Sequence, residues 1–301
     1  MQHRLRVASI CVLMLGLPLG TTFAQIPPVQ APPFCSASAG APAPDAATPN
    51  LNAGMDAFAS KNYLVAYSHL HPLAERGDPA AQRGLGFLLM QSCGPTGNRV
   101  LAVSWIGKAA AAGDIPASAA LGRMYMNGDY VTQDDATAFT WLMQAAKGGD
   151  ADAQTDLAVL YSEGRGVALD RFQGIAWSVR AAEQGAPLAL VNIARSYAGG
   201  LALPKDNLRA MFWMVAALQR ATPLQRNQLA TSFNTIARQI SRDDARRMAA
   251  DAQKWSPGPG SMDDVLKDAI KRRDQGDAPV NPTQPRPAPA RVPLDRSKRA
   301  T

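Results

Sequence analysis

The chain has 301 residues, which is enough for one large or two ordinary domains. Its formal net charge of +7 would suit an anionic partner such as nucleic acid, but most of the excess positive charge lies near the two ends. The long stretch between them is nearly neutral, which argues against a nucleic-acid-binding protein.

The first 24 residues have the pattern of a secretory signal peptide. A basic start precedes an apolar run, residues 7–20, that is too short to span a bilayer, and small Ala24 ends the segment. We therefore predict cleavage before Gln25 and export to the periplasm or to the outside of a bacterial cell. Residues 25–50 are rich in Pro and Ala, and they are predicted to form a flexible leader.

Export affects the interpretation of the cysteines. Cys11 would leave with the signal peptide, so Cys35 and Cys93 would be the only cysteines of the mature chain. Because exported proteins fold in an oxidising compartment, the pair predicts one disulfide, Cys35–Cys93. The alternative is two free thiols.

Residues 51–220 repeat with a period of 36 residues. Columns that keep this step are Trp105, Trp141, Trp177 and Trp213; Leu85, Leu121, Leu157 and Ile193; Tyr125, Tyr161 and Tyr197; Gly77, Gly113, Gly149 and Gly185; and Ala81, Ala117, Ala153 and Ala189. A fixed period of about 20 to 50 residues is typical of a solenoid, a propeller or an array.

The apolar residues within one period follow helical spacing. Ala138, Trp141, Leu142 and Ala145 recur at i, i+3, i+4 and i+7, which is one stripe of an α-helix. A second stripe in the period includes Leu157. No run of alternating β-branched residues indicates a strand. Each unit is therefore predicted to be a helix pair, and the fold to be all-α.

Gly164 and Gly166 form a Gly-x-Gly pair, which occurs both in phosphate-binding loops and in simple turns. No strand is predicted before the pair and no Lys-Ser/Thr follows it, as a phosphate loop would require. Gly164 instead aligns with Gly128 and Gly200, at a helix C-terminus where glycine is favoured. Residues that can cap the following helix align at Asn62, Asn98, Asp134, Asp170 and Asp206. The pair is therefore predicted to be a turn between helices.

The repeats resemble those of the Sel1-like family, which is related to the tetratricopeptide repeats. The shared pattern, AxxxLGxxYxxGxGVxxDxxxAxxWxxxAAxxG, is matched by ASAALGRMYMNGDYVTQDDATAFTWLMQAAKGG from Ala117 and by AQTDLAVLYSEGRGVALDRFQGIAWSVRAAEQG from Ala153. The resemblance covers five repeats over residues 51–220, of which the first is degenerate because His69 stands in the tryptophan column. It implies an α-solenoid of helix-turn-helix repeats that forms a right-handed superhelix.

The resemblance also implies a function. Relatives serve as scaffolds or regulatory adaptors in the bacterial envelope, so we expect a protein partner, bound as an extended segment in signalling or assembly, and neither a cofactor nor catalysis. The alternative is an accessory protein that binds peptidoglycan of the cell wall. A cysteine-rich secreted branch of the family has been connected with β-lactam binding or hydrolysis. Its cysteine pair in each repeat is missing here, so we do not expect that activity.

The resemblance places the first helix of each pair on the concave side of the superhelix. The residues beside the buried stripe of these helices are then expected to line a binding groove: Phe87, Gln91, Arg123, Asn127, Asp156, Val159, Glu163, Asn192 and Arg195. Arg123 and Arg195 are candidates to hold acidic groups of an extended peptide through charge-assisted hydrogen bonds. The alternative is that both are solvated arginines on a helix face.

The remaining sequence offers little for catalysis or metal binding. His69 and His71 point about 200° apart on one helix and cannot share a metal ion. No hydrolase motif occurs, although carboxylates distant in sequence can still meet in space. Residues 221–256 are predicted to form capping helices. Residues 257–301 are predicted to be mostly a disordered Pro/Arg-containing tail, in which 261–273 forms a short helix or folds only on a partner.

Overall fold

The computed structural model describes residues 48–91 and 99–275, which form 13 helices and no strand. The helices are α1 (Leu51–Ala59), α2 (Tyr63–Glu75), α3 (Pro79–Gln91), α4 (Arg99–Ala111), α5 (Ile115–Asn127), α6 (Asp135–Lys147), α7 (Ala151–Glu163), α8 (Arg171–Glu183), α9 (Pro187–Gly199), α10 (Asn207–Arg220), α11 (Pro223–Ala237), α12 (Arg242–Lys254) and α13 (Asp263–Asp274). The predicted signal peptide, most of the leader, Cys35, Cys93, Asn98 and residues 276–301 lie outside the described residues.

The helices stack as antiparallel pairs in chain order. Each helix from α1 to α10 packs on the next one along the chain, which gives five pairs, α1–α2 to α9–α10. We call the odd-numbered members the first helices and the even-numbered members the second helices. The prediction of an all-α solenoid of helix-turn-helix repeats is confirmed.

Side-chain caps start the second helices at the aligned positions. Asn62, Asp134, Asp170 and Asp206 each accept a hydrogen bond from a backbone N–H in the first turn of α2, α6, α8 and α10. One such cap contributes about 1 kcal/mol by satisfying a backbone donor that has no partner within the helix. An Asn or Asp at the same phase therefore fixes where α2, α6, α8 and α10 begin.

The Gly-x-Gly stretch is a turn that packs on the preceding repeat. Gly164 ends α7 in the left-handed conformation, with a φ of 70°. Between the two glycines, Arg165 donates from Nη2 to Oδ1 of Asp135 at 2.8 Å and from Nε to Oδ2 at 3.1 Å. It also donates to the carbonyl of Met126 at 3.1 Å. The interpretation as a turn is confirmed, and its arginine bonds to the neighbouring repeat instead of holding a phosphate.

Small residues in the second helices allow close packing. Ala109, Ala145, Ala181 and Ala217 form one column, and all four are fully buried. The tryptophan column packs beside them, and His69 occupies its place in the first pair, also buried. The first pair therefore keeps the repeat geometry despite its degenerate sequence.

The helices after α10 complete the core but do not form a regular sixth pair. α12 packs against α10, α13 packs against α8, and α11 makes its main contact with α10. Val265 and Ala269 of α13 are buried, and Asp268 accepts a hydrogen bond from Oη of Tyr197 at 2.7 Å and another from Arg209. α13 lies in the segment for which a short helix or folding on a partner was predicted, and it packs on the repeats.

Candidate partner-binding groove

The first helices form one continuous face of the solenoid. α1 contacts α3, α5 contacts α7 and α7 contacts α9, whereas successive second helices make little contact with one another. Contact is therefore greater between successive first helices than between successive second helices, as expected for the concave side of a solenoid. All nine predicted groove residues lie on α3, α5, α7 and α9.

Four of the nine residues meet in a single pocket at the C-terminal end of this face. The pocket has a volume of about 480 Å³ and includes Val159, Glu163, Asn192 and Arg195. We call it the C-terminal pocket. Its other walls come from α7, α8, α9, the turn after α9 and α11: Ser162, Arg171, Ile175, Ser178, Ser196, Ala198, Leu201, Thr231, Ser232, Thr235 and Ile236. Such a volume is within the ordinary range for ligand pockets.

The C-terminal pocket carries an excess of positive charge and hydrogen-bond donors. Arg171 and Arg195 form no ion pair and no side-chain hydrogen bond with any described residue. Glu163 is the only acidic residue of the lining, and its carboxylate lies 3.7 Å from Nη1 of Arg165. Hydroxyl groups of serines and threonines supply most of the other polar atoms. The lining therefore suits a ligand that carries a negative group.

Arg123 is compensated within the chain, unlike Arg195. Its Nη1 lies 3.5 Å from Oδ2 of Asp152 on the next first helix. Burial raises the pKa of the Asp156 carboxyl to about 6, with Arg123 opposing the increase and Asp152 adding to it. Asp156 also has a buried carboxylate oxygen, Oδ2, without a hydrogen-bond partner among the described residues. Arg123 thus faces two carboxylates of its own chain.

Three predicted residues lie outside both of these clusters. Phe87 is partly buried and packs against the core near Ile106. Gln91 and Asn127 are exposed at the C-terminal ends of α3 and α5, and Asn127 donates to Asp129 at 3.2 Å. The predicted groove residues therefore divide into a pocket, a compensated charge cluster and an exposed rim.

Arg171 and α11 line the pocket but were not among the groove residues predicted from the sequence. A signal for α11 was present, because Pro223 begins it 36 residues after Pro187 begins α9. By the same step Thr231 follows Arg195, and both line the pocket. The helix predicted only as a cap thus continues the phase of the first helices.

Metal binding and membrane insertion find no support in the described part of the chain. Within residues 48–91 and 99–275, no group of three or more His, Cys, Asp or Glu side chains is arranged to hold a metal ion. His71 stacks on Tyr67 with ring centroids 4.8 Å apart, while His69 is buried. None of the helices in these ranges combines the length and the apolar character needed to cross a bilayer.

Comparisons with known proteins agree with the helix pairs. The family model of the Sel1 repeat matches residues 79–114, 115–150, 151–185 and 187–220, which correspond to α3–α4 through α9–α10. The α1–α2 pair lies outside the match. A search of the curated proteins found no match.

Two solved structures are similar to this chain. One is the crystal structure of c5321, a protective antigen present in uropathogenic Escherichia coli strains that displays an SLR fold; the sequence identity is 32% and the TM-score is 0.51. That match covers 61% of this chain and 40% of c5321, so this chain spans less than half of that protein's length. The other is a Sel1 repeat protein from Oxalobacter formigenes, with 35% identity over 38% of this chain and 88% of that one, and a TM-score of 0.37.

Proposed function

Because this chain belongs to the Sel1-repeat family, we propose that it is an exported scaffold protein that binds an extended segment of a protein partner along its concave face. Sel1 repeats typically mediate protein binding, and a solenoid presents a long concave surface for it. We further propose export to the periplasm or beyond the cell, and a role in envelope signalling or assembly. They are supported by the pattern of residues 1–24 and by the family resemblance.

The observation that carries the proposal is the C-terminal pocket in the face of the first helices. Arg171 is half-buried and Arg195 is exposed, and neither has a carboxylate partner among the described residues. The carboxylate of an acidic partner would complete an ion pair with them.

Site-specific photo-crosslinking in intact cells tests this proposal. A photoreactive residue at Asn127 or Glu163 lies on an exposed edge of the first helices, and one at Thr140 or Gln173 lies on an exposed part of the second helices. We expect the same protein adduct from both first-helix positions and none from the second-helix positions. Equal labelling from both faces would contradict a concave binding site.

Two further outcomes correspond to other functions. Retention of the purified protein by isolated cell-wall sacculi, with no protein adduct, would favour the alternative peptidoglycan-binding function. Turnover of a cell-wall or β-lactam substrate that is lost on mutation of the groove would favour an enzyme.

The predicted disulfide provides a separate test of export. Peptide mapping of the protein isolated from the envelope should yield a Cys35–Cys93 peptide and an N-terminus at Gln25. Two free thiols on a chain that still begins at Met1 would contradict export. The groove proposal would not be affected by that result.

A further inference from the structure

We propose that the C-terminal pocket holds an acidic side chain, Asp or Glu, of the partner's extended segment between Arg171 and Arg195. The inference rests on the proposed function and names the chemistry of its partner. It differs from the sequence-based expectation, in which Arg123 and Arg195 hold the acidic groups.

The choice of arginines follows from their neighbours. Arg123 has Asp152 at an offset of 29 residues, on the next first helix. The same offset from Arg195 leads to Leu224, which is exposed and cannot neutralise a guanidinium. The chain therefore supplies an acidic partner for Arg123 in the middle of the groove. It supplies none at the corresponding position for Arg195, at the C-terminal end of the groove.

The second arginine comes from a different helix. Arg171 is the first residue of α8, and it lines the same pocket as Arg195 of α9 and the residues of α11. A carboxylate that enters the pocket can accept hydrogen bonds from both guanidinium groups, and planar guanidinium groups bind carboxylates with well-defined geometry. Serine and threonine hydroxyls of the lining can donate to the remaining lone pairs.

Apolar groups beside the arginines favour a peptide over an inorganic anion. Val159, Ile175 and Leu201 all line the pocket, and Leu201 is 49% exposed. An acidic side chain next to an apolar one could bury the apolar atoms here while its carboxylate meets the arginines. A small anion such as phosphate would leave this apolar surface in contact with water.

A random linear peptide display library provides the probe, because no partner is needed in advance. Peptides selected on the purified protein should share one position occupied by Asp or Glu with an apolar neighbour. Their affinity should fall tenfold or more for the R171Q/R195Q variant. It should change less than twofold for K147Q/R242Q, which removes the same charge from exposed residues outside the pocket.

A double-mutant cycle then assigns the contact to the acidic residue. Changing that residue of the peptide to its amide should weaken binding to the wild type tenfold or more, but should weaken binding to R171Q/R195Q less than twofold. Binding to the wild type should also weaken as the salt concentration rises. Circular dichroism spectra that match the wild type show that the variants are folded.

The outcomes separate this inference from the proposed function. Selected peptides that crosslink to the first helices but bind R171Q/R195Q as well as the wild type would overturn the pocket assignment and leave the groove in place. The same holds for selected peptides without a common acidic position. If no peptide is selected and sacculi retain the protein, both the pocket assignment and the groove are wrong.

Discussion

Alanine at Gly166 should destabilise the protein much more than alanine at Gly149. Both glycines have positive φ, 67° and 93° respectively, where any side chain is strained. They differ in the space around them. A Cβ at Gly166 would meet the backbone oxygen of Asp135 at 2.1 Å, whereas a Cβ at Gly149 would have no heavy atom within 4 Å. The pair therefore separates backbone strain from steric overlap.

The magnitude follows from these two contributions. A left-handed conformation costs a residue with a side chain about 1–2 kcal/mol, which is the full expected effect at Gly149. At Gly166 the turn must also move away from α6, and overlap in a packed site costs about 1–3 kcal/mol more. This movement would stretch the hydrogen bonds from Arg165 to Asp135. We expect a loss of about 2–5 kcal/mol in the free energy of unfolding for Gly166→Ala.

Urea denaturation followed by far-ultraviolet circular dichroism measures the difference. Both variants should be compared with the wild type at one pH and one salt concentration, and equal slopes of free energy against urea support comparison of the midpoints. Losses that agree within about 0.5 kcal/mol would show that the turn does not pack on α6 in solution, which would refute the steric argument.

Three more predictions test individual contacts. Asp156→Asn should raise stability at neutral pH by about 2–3 kcal/mol, because the folded state raises the pKa of this carboxyl from 3.8 to about 6 and each pKa unit corresponds to ~1.4 kcal/mol. Relative to this variant, the wild type should lose stability as the pH rises from about 4 to about 6; parallel pH profiles would contradict the buried carboxyl. Arg165→Ala should lose about 1–3 kcal/mol in urea titrations, whereas Arg246→Ala, whose ion pair is largely exposed, should lose less than about 0.5 kcal/mol. Asp268→Ala removes the acceptor of the Tyr197 hydroxyl and should speed trypsin cleavage within α13; an unchanged rate would mean that apolar contacts alone hold this helix.

The helix pairs could be predicted from the sequence because local signals specify them. A capping residue such as Asp170 and a left-handed glycine such as Gly164 act within one turn of a helix, and the period repeats each signal several times. The part after Arg220 was less predictable. One period after Trp213 the column holds Ala249, so α12 lacks the large side chain that marks the second helices. Its position against α10 depends on tertiary packing that no local signal encodes.

The candidate site was predictable only in part. The period indicates which residues face the groove, and this is why Val159 and Arg195 were found. Whether an arginine is available to a partner depends on the residue that faces it from the next repeat. Asp152 faces Arg123, and the corresponding position for Arg195 holds Leu224. A comparison of each arginine with the residue 29 positions later shows that Arg123 has an acidic partner and Arg195 has none. A comparison of aligned columns does not show this difference.

The pocket and the irregular cap have one structural cause. α11 follows the phase of the first helices, but α12 packs on α10 and α13 on α8, so α11 does not gain a second helix packed along it as the five pairs do. α11 then lines a pocket together with residues of both α7 and α9, although α7 lies two repeats earlier. A regular sixth pair would keep α11 at the ordinary repeat spacing and would leave the groove open at this end. The loss of the repeat in α12 therefore ends the solenoid. It also shapes the C-terminal pocket, where the positive charge of Arg171 and Arg195 has no acidic partner among the described residues.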